Sequence, residues 1–184
     1  FNRDGTEGEM CGNGARCIAR YASLKGIVKK PEMTFETIGG RVDASVRDAR
    51  TTLKLSPVNI SSLVHDVPAS VEGYDFNYTF LTVGVPHAVI FEKTRLDSED
   101  QYRKIGRAIR LRTDLFPEGA NINFVSPKST YEAGLDVITY ERGVEDLTLS
   151  CGTGSTASAI AAFTAGLSGP VVDVYNPGGL NRVS

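Results

Sequence analysis

One segment dominates the interpretation of this sequence of 184 residues: positions 150–166 read SCGTGSTASAIAAFTAG. A cysteine and a glycine-rich turn open the segment, and Gly166 closes it after about three helical turns of small, mostly apolar residues. A helix that is apolar on every side is typically buried, and a glycine after the last turn is typical of a helix C-terminus. The segment therefore predicts a buried central helix over residues 152–165.

A shift of 140 residues places a similar segment near the start of the chain. Cys11-Gly12-Asn13-Gly14 aligns with Cys151-Gly152-Thr153-Gly154, and Gly26 aligns with Gly166. Four matches around a glycine-rich turn also arise by chance. However, the same cysteine opens both segments, both lead into a helix, and both helices end at matched glycines. We therefore expect two similar halves, each a curved sheet around a central helix.

The rest of the chain alternates between strand and helix patterns. A capping pattern at Ser98 and Gln101 predicts a helix that Pro117 ends, and residues 59–76 read as mainly loop. Strands are predicted at 33–46 (a hairpin around Gly39-Gly40), 51–55, 78–83, 88–91, 122–125, 135–140, 147–149 and 171–175. This mixture predicts an α/β (α+β) fold.

The break at Ser56-Pro57 is the best candidate for a domain boundary. It divides the chain into residues 1–56 and residues 57–174, and we expect residues 175–184 to return to the first domain. The chain opens directly on a polar, glycine-containing motif at residues 1–7. We expect the first domain to be incomplete, with its upstream strands missing; the alternative is that the chain begins at a true domain edge.

Composition excludes several classes of protein. Hydrophobic residues make up 41% and charged residues 23% of the chain, which is average for a folded domain. The formal net charge of -2 provides no basic excess for nucleic acid, and no apolar run approaches the ~20 residues that span a bilayer. The three cysteines lack a C-x-x-C spacing, so we interpret them as thiols and expect no metal site.

Two cysteines that each open a helix have a specific chemistry. A helix N-terminus stabilises a thiolate, so we expect the pKa of Cys11 and Cys151 to lie below the usual value of about 8.5. The free N–H groups there also hold a carboxylate. Two such ends facing each other suit the removal of a proton from a carbon atom next to a carboxylate, and the return of a proton to the opposite face of that carbon.

Other interpretations of the cysteines stay open at this point. A redox disulfide is one, although the two residues are 140 positions apart. Packing in the interior is another, since free cysteines are usually buried. We choose packing for Cys17, which lies on a different helix face from Cys11.

Several motifs together resemble the diaminopimelate epimerase family. They are NRDGTEGEMCGNGARC at residues 2–17, GVPH at 84–87, GANINF at 119–124, ERG at 141–143 and SCGTG at 150–154, in the order that the family has them. The resemblance covers nearly the whole chain. It implies a cofactor-independent isomerase that interconverts LL- and meso-diaminopimelate, in lysine and peptidoglycan biosynthesis.

The resemblance also implies roles for individual residues. Cys11 and Cys151 correspond to the two acid/base thiols. His87 and Glu141 correspond to groups that relay protons or tune the thiols. The substrate-binding positions are Asn2, Gly12, Asn13, Asn121, Glu141, Arg142, Gly152 and Thr153.

These residues also have simpler explanations. Asn2 would then shape its turn, His87 would be a hydrogen-bonded structural histidine, and Glu141 with Arg142 would form a surface ion pair. His65 is interpreted as a surface residue.

One position departs from the family pattern. The family commonly has Asn between Gly84 and Pro86, where this chain has Val85, so one polar contact to substrate is lost or supplied elsewhere. A racemase of proline, hydroxyproline or histidine on the same fold therefore stays open, as does a relative that only binds an amino acid. Asn13 and the ERG motif favour diaminopimelate. We expect a small amino-acid substrate, no nucleic-acid or membrane partner, a cytoplasmic location and, as one assembly, a homodimer.

Overall fold

The computed structural model describes residue 5, residues 11–128 and residues 134–184. The first part of the fold is helix α1 (Gly12–Leu24) and a three-stranded antiparallel sheet. Its strands, in spatial order, are β1 (Glu32–Thr37), β2 (Gly40–Arg47) and β3 (Arg50–Lys54). Helix α1 packs on β2 and β3 through small side chains, with Ala19 against Ala44 and Val46.

The second part is an eight-stranded mixed sheet that follows a short 3-10 turn at Ile60–Ser62. Its order is β11-β10-β8-β7-β6-β5-β4, and β9 pairs with β8. The strands are β4 (Val64–Val71), β5 (Tyr74–Val83), β6 (Val85–Phe91), β7 (Asn121–Pro127), β8 (Leu135–Glu141), β9 (Asp146–Thr148), β10 (Val172–Asn176) and β11 (Gly179–Val183). Pairs β6/β7 and β8/β10 are parallel, and the other pairs are antiparallel.

Two helices cover opposite faces of this sheet, α2 (Glu99–Arg110) and α3 (Gly152–Thr164). Along β6, Val89 belongs to the apolar cluster around α3, whereas its neighbour Ile90 belongs to the cluster around α2. Val125 and Phe124 divide in the same way along β7. Successive side chains of a strand point to opposite faces, so these central strands are buried on both sides and read as nearly continuous apolar runs.

The structure confirms both cysteine-led helices and the helix that starts after Ser98, whose hydroxyl accepts a hydrogen bond from the Gln101 N–H at 3.3 Å. Gly26 and Gly166, which follow α1 and α3, have positive φ values of 66° and 71°. A residue with a side chain rarely adopts this conformation, so these two positions favour glycine. Each helix is followed by a hairpin, β1–β2 or β10–β11.

Two expectations are wrong. Residues 59–76 are not mainly loop, because β4 and the start of β5 lie there. The breaker Pro68 misled the prediction: β4 is the last strand of the sheet, and an edge strand tolerates proline. Residues 175–184 do not return to the smaller sheet, since β11 hydrogen-bonds to β10, and β10 pairs with β8.

The predicted domain boundary, Ser56-Pro57, lies between β3 and the 3-10 turn. Among the described residues, no helix is both long enough and apolar enough to cross a membrane.

Helix α2 approaches the sheet most closely at Gly106, which provides a test of the packing. A Cβ at this position would lie 2.7 Å from the Cβ of Tyr140 on β8. We expect Gly106→Ala to lower the free energy of unfolding by about 1–3 kcal/mol, because a buried Tyr140 has no room to yield. Urea denaturation measures this change. Gly169→Ala is the matched control, since no atom lies within 4 Å of its added methyl group; equal stability of the two variants would contradict the packing.

Candidate active site

The two repeated cysteines cap the two helices in the same way. Cys11 is the N-cap of α1, and its sulfur accepts a hydrogen bond from the Gly14 N–H at 3.3 Å. Cys151 is the N-cap of α3, and its sulfur accepts one from the Gly154 N–H, also at 3.3 Å. Serine, threonine or aspartate usually fills this position. The thiols therefore lie directly at the positive ends of two helix dipoles.

The two helix ends meet at a pair of glycines. A Cβ on Gly12 would lie only 3.4 Å from the Cα of Gly152, so the two backbones are in contact. Beside this contact, Asn13 Nδ2 donates to the Ser150 carbonyl at 2.8 Å, and Arg16 donates to Asn13 Oδ1 at 2.6 Å. The structure thus brings both cysteine-led turns to one place. All three cysteines of the chain are free thiols in this structure.

The two sulfurs have different surroundings. Cys11 is exposed, whereas Cys151 is only 6% exposed. Burial, followed by the nearby Glu141 carboxylate, raises the pKa of Cys151 to about 11; hydrogen bonds from Thr153 and Gly154 oppose this shift without cancelling it. The expectation of a lowered pKa is therefore wrong for Cys151, because removal from water outweighs the helix dipole.

Polar side chains line the face of β7 and β8 that lies towards α3. Asn121 and Asn123 alternate with apolar residues along β7, and both are buried. Asn121 Oδ1 accepts a hydrogen bond from the Arg142 N–H at 2.7 Å, which ties the end of β8 to β7. Burial raises the pKa of Glu141, which ends β8. The Arg142 guanidinium donates to the Glu118 carbonyl at 2.8 Å.

His87 lies on β6 in register with Asn121 of β7 and is fully buried. Its Nδ1 is 3.2 Å from Asn123 Nδ2. Burial, with the nearby positive charge of Arg142, lowers the pKa of His87 to about 3. The imidazole is therefore neutral at physiological pH.

Other predicted residues are placed as follows. His65 is exposed, as expected, and Val85 is buried at the start of β6. Cys17 is exposed, so its interpretation as a packed interior thiol is wrong: it lies on the outer side of α1, away from the contact with the sheet. Asn2 lies outside the described residues.

Residue-by-residue reasoning missed Asn123 and Thr139, which belong to the same buried polar group. A signal for Asn123 exists in the sequence, because Asn at every second position of an apolar strand marks one polar face. Arg16 and Ser150 were missed as well, since only the folded chain brings them together.

A cleft of about 960 Å³ lies between β3 and β11. Gly12, Arg16, Gly152 and Thr156 line part of it, but neither Cys11 nor Cys151 does. We therefore assign the candidate site to the cysteine-led turns and the polar face of β6–β8, and not to this cleft. Within the described ranges, no three His, Cys, Asp or Glu side chains are grouped as metal ligands.

Comparison with known proteins agrees with this geometry. The family model described as "Diaminopimelate epimerase" matches residues 1–60 and 79–184. The chain belongs to the diaminopimelate epimerase family. The match includes both cysteine-led turns and every polar residue of the candidate site.

Curated relatives in this family include the diaminopimelate epimerases of Hydrogenobaculum sp. (strain Y04AAS1), 43% identical over 97% of this chain, and of Aquifex aeolicus (strain VF5), 41% identical over 91%. The chain spans 64% and 58% of the lengths of these two relatives. The diaminopimelate epimerase of Caldanaerobacter subterraneus subsp. tengcongensis is 35% identical, and the match covers 98% of this chain and 69% of that relative.

Solved structures confirm the mixed α/β fold expected of a diaminopimelate epimerase relative. A hydroxyproline epimerase from Agrobacterium vitis, with bound trans-4-OH-L-proline, has a TM-score of 0.72 at 17% identity, over 92% of this chain and 56% of that chain. A phenazine biosynthesis protein of the PhzF family from Bacillus anthracis has a TM-score of 0.64 at 12% identity, over 97% of this chain and 67% of that chain.

The raised pKa of Cys151 predicts how its alkylation depends on pH. Only the thiolate reacts with iodoacetamide. With a pKa of about 11, the reactive fraction, and therefore the rate, should rise about tenfold per pH unit between about pH 7 and pH 9. Peptide mass spectrometry measures this rate, with a free cysteine peptide as the control. A rate for Cys151 that levels off below about pH 9 would contradict the raised pKa.

Because its pKa is lowered, His87 should stay unprotonated in the folded protein even at mildly acidic pH. As the pH falls below about 6.5, the ordinary pKa of histidine, the His87 ring takes up a proton in the unfolded chain but not in the folded chain. The contribution of His87 to stability is then fully present above that pH and declines as the pH falls towards about 3. NMR of the ring protons, assigned with a His65→Gln variant, should show no shift of the His87 signals between about pH 5 and pH 8. A midpoint in that range would refute the prediction.

Proposed function

We propose that this chain carries the catalytic centre of a cofactor-independent epimerase that interconverts LL- and meso-diaminopimelate. The contact between two cysteine-capped helix N-termini carries the proposal, because each end combines a thiol with N–H groups that favour an anion. Membership of the diaminopimelate epimerase family supports the choice of substrate.

The substrate carboxylate binds where the two helix ends meet. The backbone N–H groups around Gly12, Asn13, Gly152 and Thr153 lie in the first turns of α1 and α3. The first N–H groups of a helix have no partner within it. Donors fixed in this way favour the negative charge that builds up on the carboxylate when the α-proton leaves.

The two sulfurs then exchange one proton through the α-carbon. Cys11 as thiolate removes the α-proton from one face, and Cys151 as thiol gives its proton to the opposite face, which inverts the centre. The raised pKa of Cys151 supports this starting state, because the buried sulfur keeps its proton at neutral pH. In the reverse direction the two roles are exchanged, so atoms and charge balance in each turnover.

The distal end of the substrate carries a second ammonium and a second carboxylate. We assign its recognition to Asn2, Asn121, Glu141 and Arg142, because a carboxylate side chain pairs with an ammonium and a guanidinium grips a carboxylate. The side chain of Val85 offers no hydrogen bond at the neighbouring position. The two thiols must stay reduced for this chemistry, which favours the cytoplasm as the place where the protein works.

Isotope exchange tests the reaction directly. In D2O, each inversion should place one deuterium at the α-carbon of the product, because the returned proton comes from a thiol that has exchanged with solvent. NMR and mass spectrometry follow this with LL-diaminopimelate, and trans-4-hydroxyproline serves as the competing substrate. Exchange with hydroxyproline and none with diaminopimelate would overturn the proposed substrate but not the two-thiol chemistry.

Removal of either thiol tests the two-base assignment. We expect Cys11→Ala and Cys151→Ala each to lower turnover by about 10²–10⁴-fold, the range for loss of a general acid or base. Cys17→Ala is the matched control, since this thiol is exposed and lies on α1, the helix that Cys11 caps. Full turnover in either of the first two variants would refute the mechanism.

A further inference from the structure

The side-chain amide of Asn123 has a single possible orientation. Its nitrogen Nδ2 lies 3.1 Å from the Ala88 carbonyl oxygen and 3.4 Å from that of Asn121, and its oxygen Oδ1 accepts a hydrogen bond from the Thr139 hydroxyl at 3.0 Å. Carbonyl oxygens only accept hydrogen bonds, so the amide nitrogen must face them. All of these contacts are buried.

This orientation determines where the proton sits on His87. Nδ1 of the imidazole is 3.2 Å from the same amide nitrogen. An amide N–H donates and does not accept, so Nδ1 must be the acceptor. A neutral imidazole carries one proton, which therefore lies on Nε2. Nε2 is buried and has no hydrogen-bond partner among the described residues.

Asn123 also contacts the turn that holds Cys151. A Cβ on Gly154 would collide with Asn123 Oδ1, so the amide lies directly against the first turn of α3. The Gly154 N–H is the group that donates to the Cys151 sulfur. One side chain thus touches both His87 and the backbone that supports the thiol.

We propose that Asn123 is a positioning residue that holds His87 in its Nε2–H form, so that His87 serves the site as a hydrogen-bond donor and not as a proton relay. A relay takes up a proton at one ring nitrogen and releases a proton from the other. Nδ1 cannot take part, because it faces an amide N–H. The vacant donor at Nε2 suits an acceptor that arrives with the substrate. This part rests on the proposed function.

Histidine NMR reads the proton position without any substrate. The chain has only two histidines, His65 and His87, so the protein labelled with ¹⁵N-histidine gives two sets of ring signals, assigned with a His87→Gln variant. We expect His87 to be entirely in the Nε2–H form at neutral pH. A mixture of the two forms, or the Nδ1–H form, in the wild-type protein would overturn the proposal.

Two variants separate positioning from general packing. Asn123→Ala removes the amide N–H that faces Nδ1, so nothing then excludes a proton from Nδ1 and the Nδ1–H form should appear. Thr139→Val is the matched control: it removes the partner of Oδ1 and leaves the Nδ2 contacts, so the Nε2–H form should persist. An unchanged proton position in a folded Asn123→Ala protein would refute the role of Asn123.

The turnover of two His87 variants tests the donor role, and this test does not depend on whether an Asn123 variant folds. Glutamine keeps an N–H donor but cannot take up a proton. We expect His87→Ala to lose about 10²-fold in turnover, as for loss of one charge-stabilising donor, and His87→Gln to stay within about tenfold of wild type. Equal losses in the two variants would overturn the donor role. If His87 is in the Nε2–H form but the protein shows no isotope exchange, the proposed epimerase function is contradicted and the positioning role of Asn123 is not.

Discussion

The contact between Gly12 and Gly152 is the constraint on which the site depends. Two helix N-termini carry like partial charges and repel each other unless something negative lies between or beside them. Here a neutral group holds the approach, the Asn13 amide on the Ser150 carbonyl, and the positive Arg16 guanidinium donates to Asn13 beside it. The unbalanced positive potential at this point is what a carboxylate of an amino acid would neutralise.

The larger sheet packs against α3 and so supports one side of this contact. Because α2 and α3 cover its two faces, the strands β6, β7 and β8 are buried on both sides, and polar side chains on them must satisfy one another. Asn121, Asn123, His87 and Thr139 do so almost completely through hydrogen bonds across three strands. Among these four side chains, the imidazole Nε2 is a buried atom without a hydrogen-bond partner in the described part of the chain. Such a network is rigid, which suits the proposed two-thiol reaction.

Much of this arrangement was predictable from local patterns. Both cysteine-led helices, their closing glycines and the strands around His87 and Asn121 follow from turn residues and apolar periodicity. Strand β4 did not, because an edge strand is partly exposed and its proline and polar residues imitate a loop. The pairing of β11 with the larger sheet was also missed, since strand partners far apart in sequence leave no local signal. The pKa of Cys151 depends on burial, which only the folded chain supplies.

Among the described residues, one hydrogen bond joins the two cysteine-led turns. Beyond the glycine contact, the Asn13 side chain donates to the Ser150 carbonyl, whereas Arg16 bonds to Asn13 within α1. A displacement of one turn from the other breaks this hydrogen bond and changes the distance between the two sulfurs. In the proposed reaction, ligand entry and the approach of the two thiols are then coupled to the same displacement.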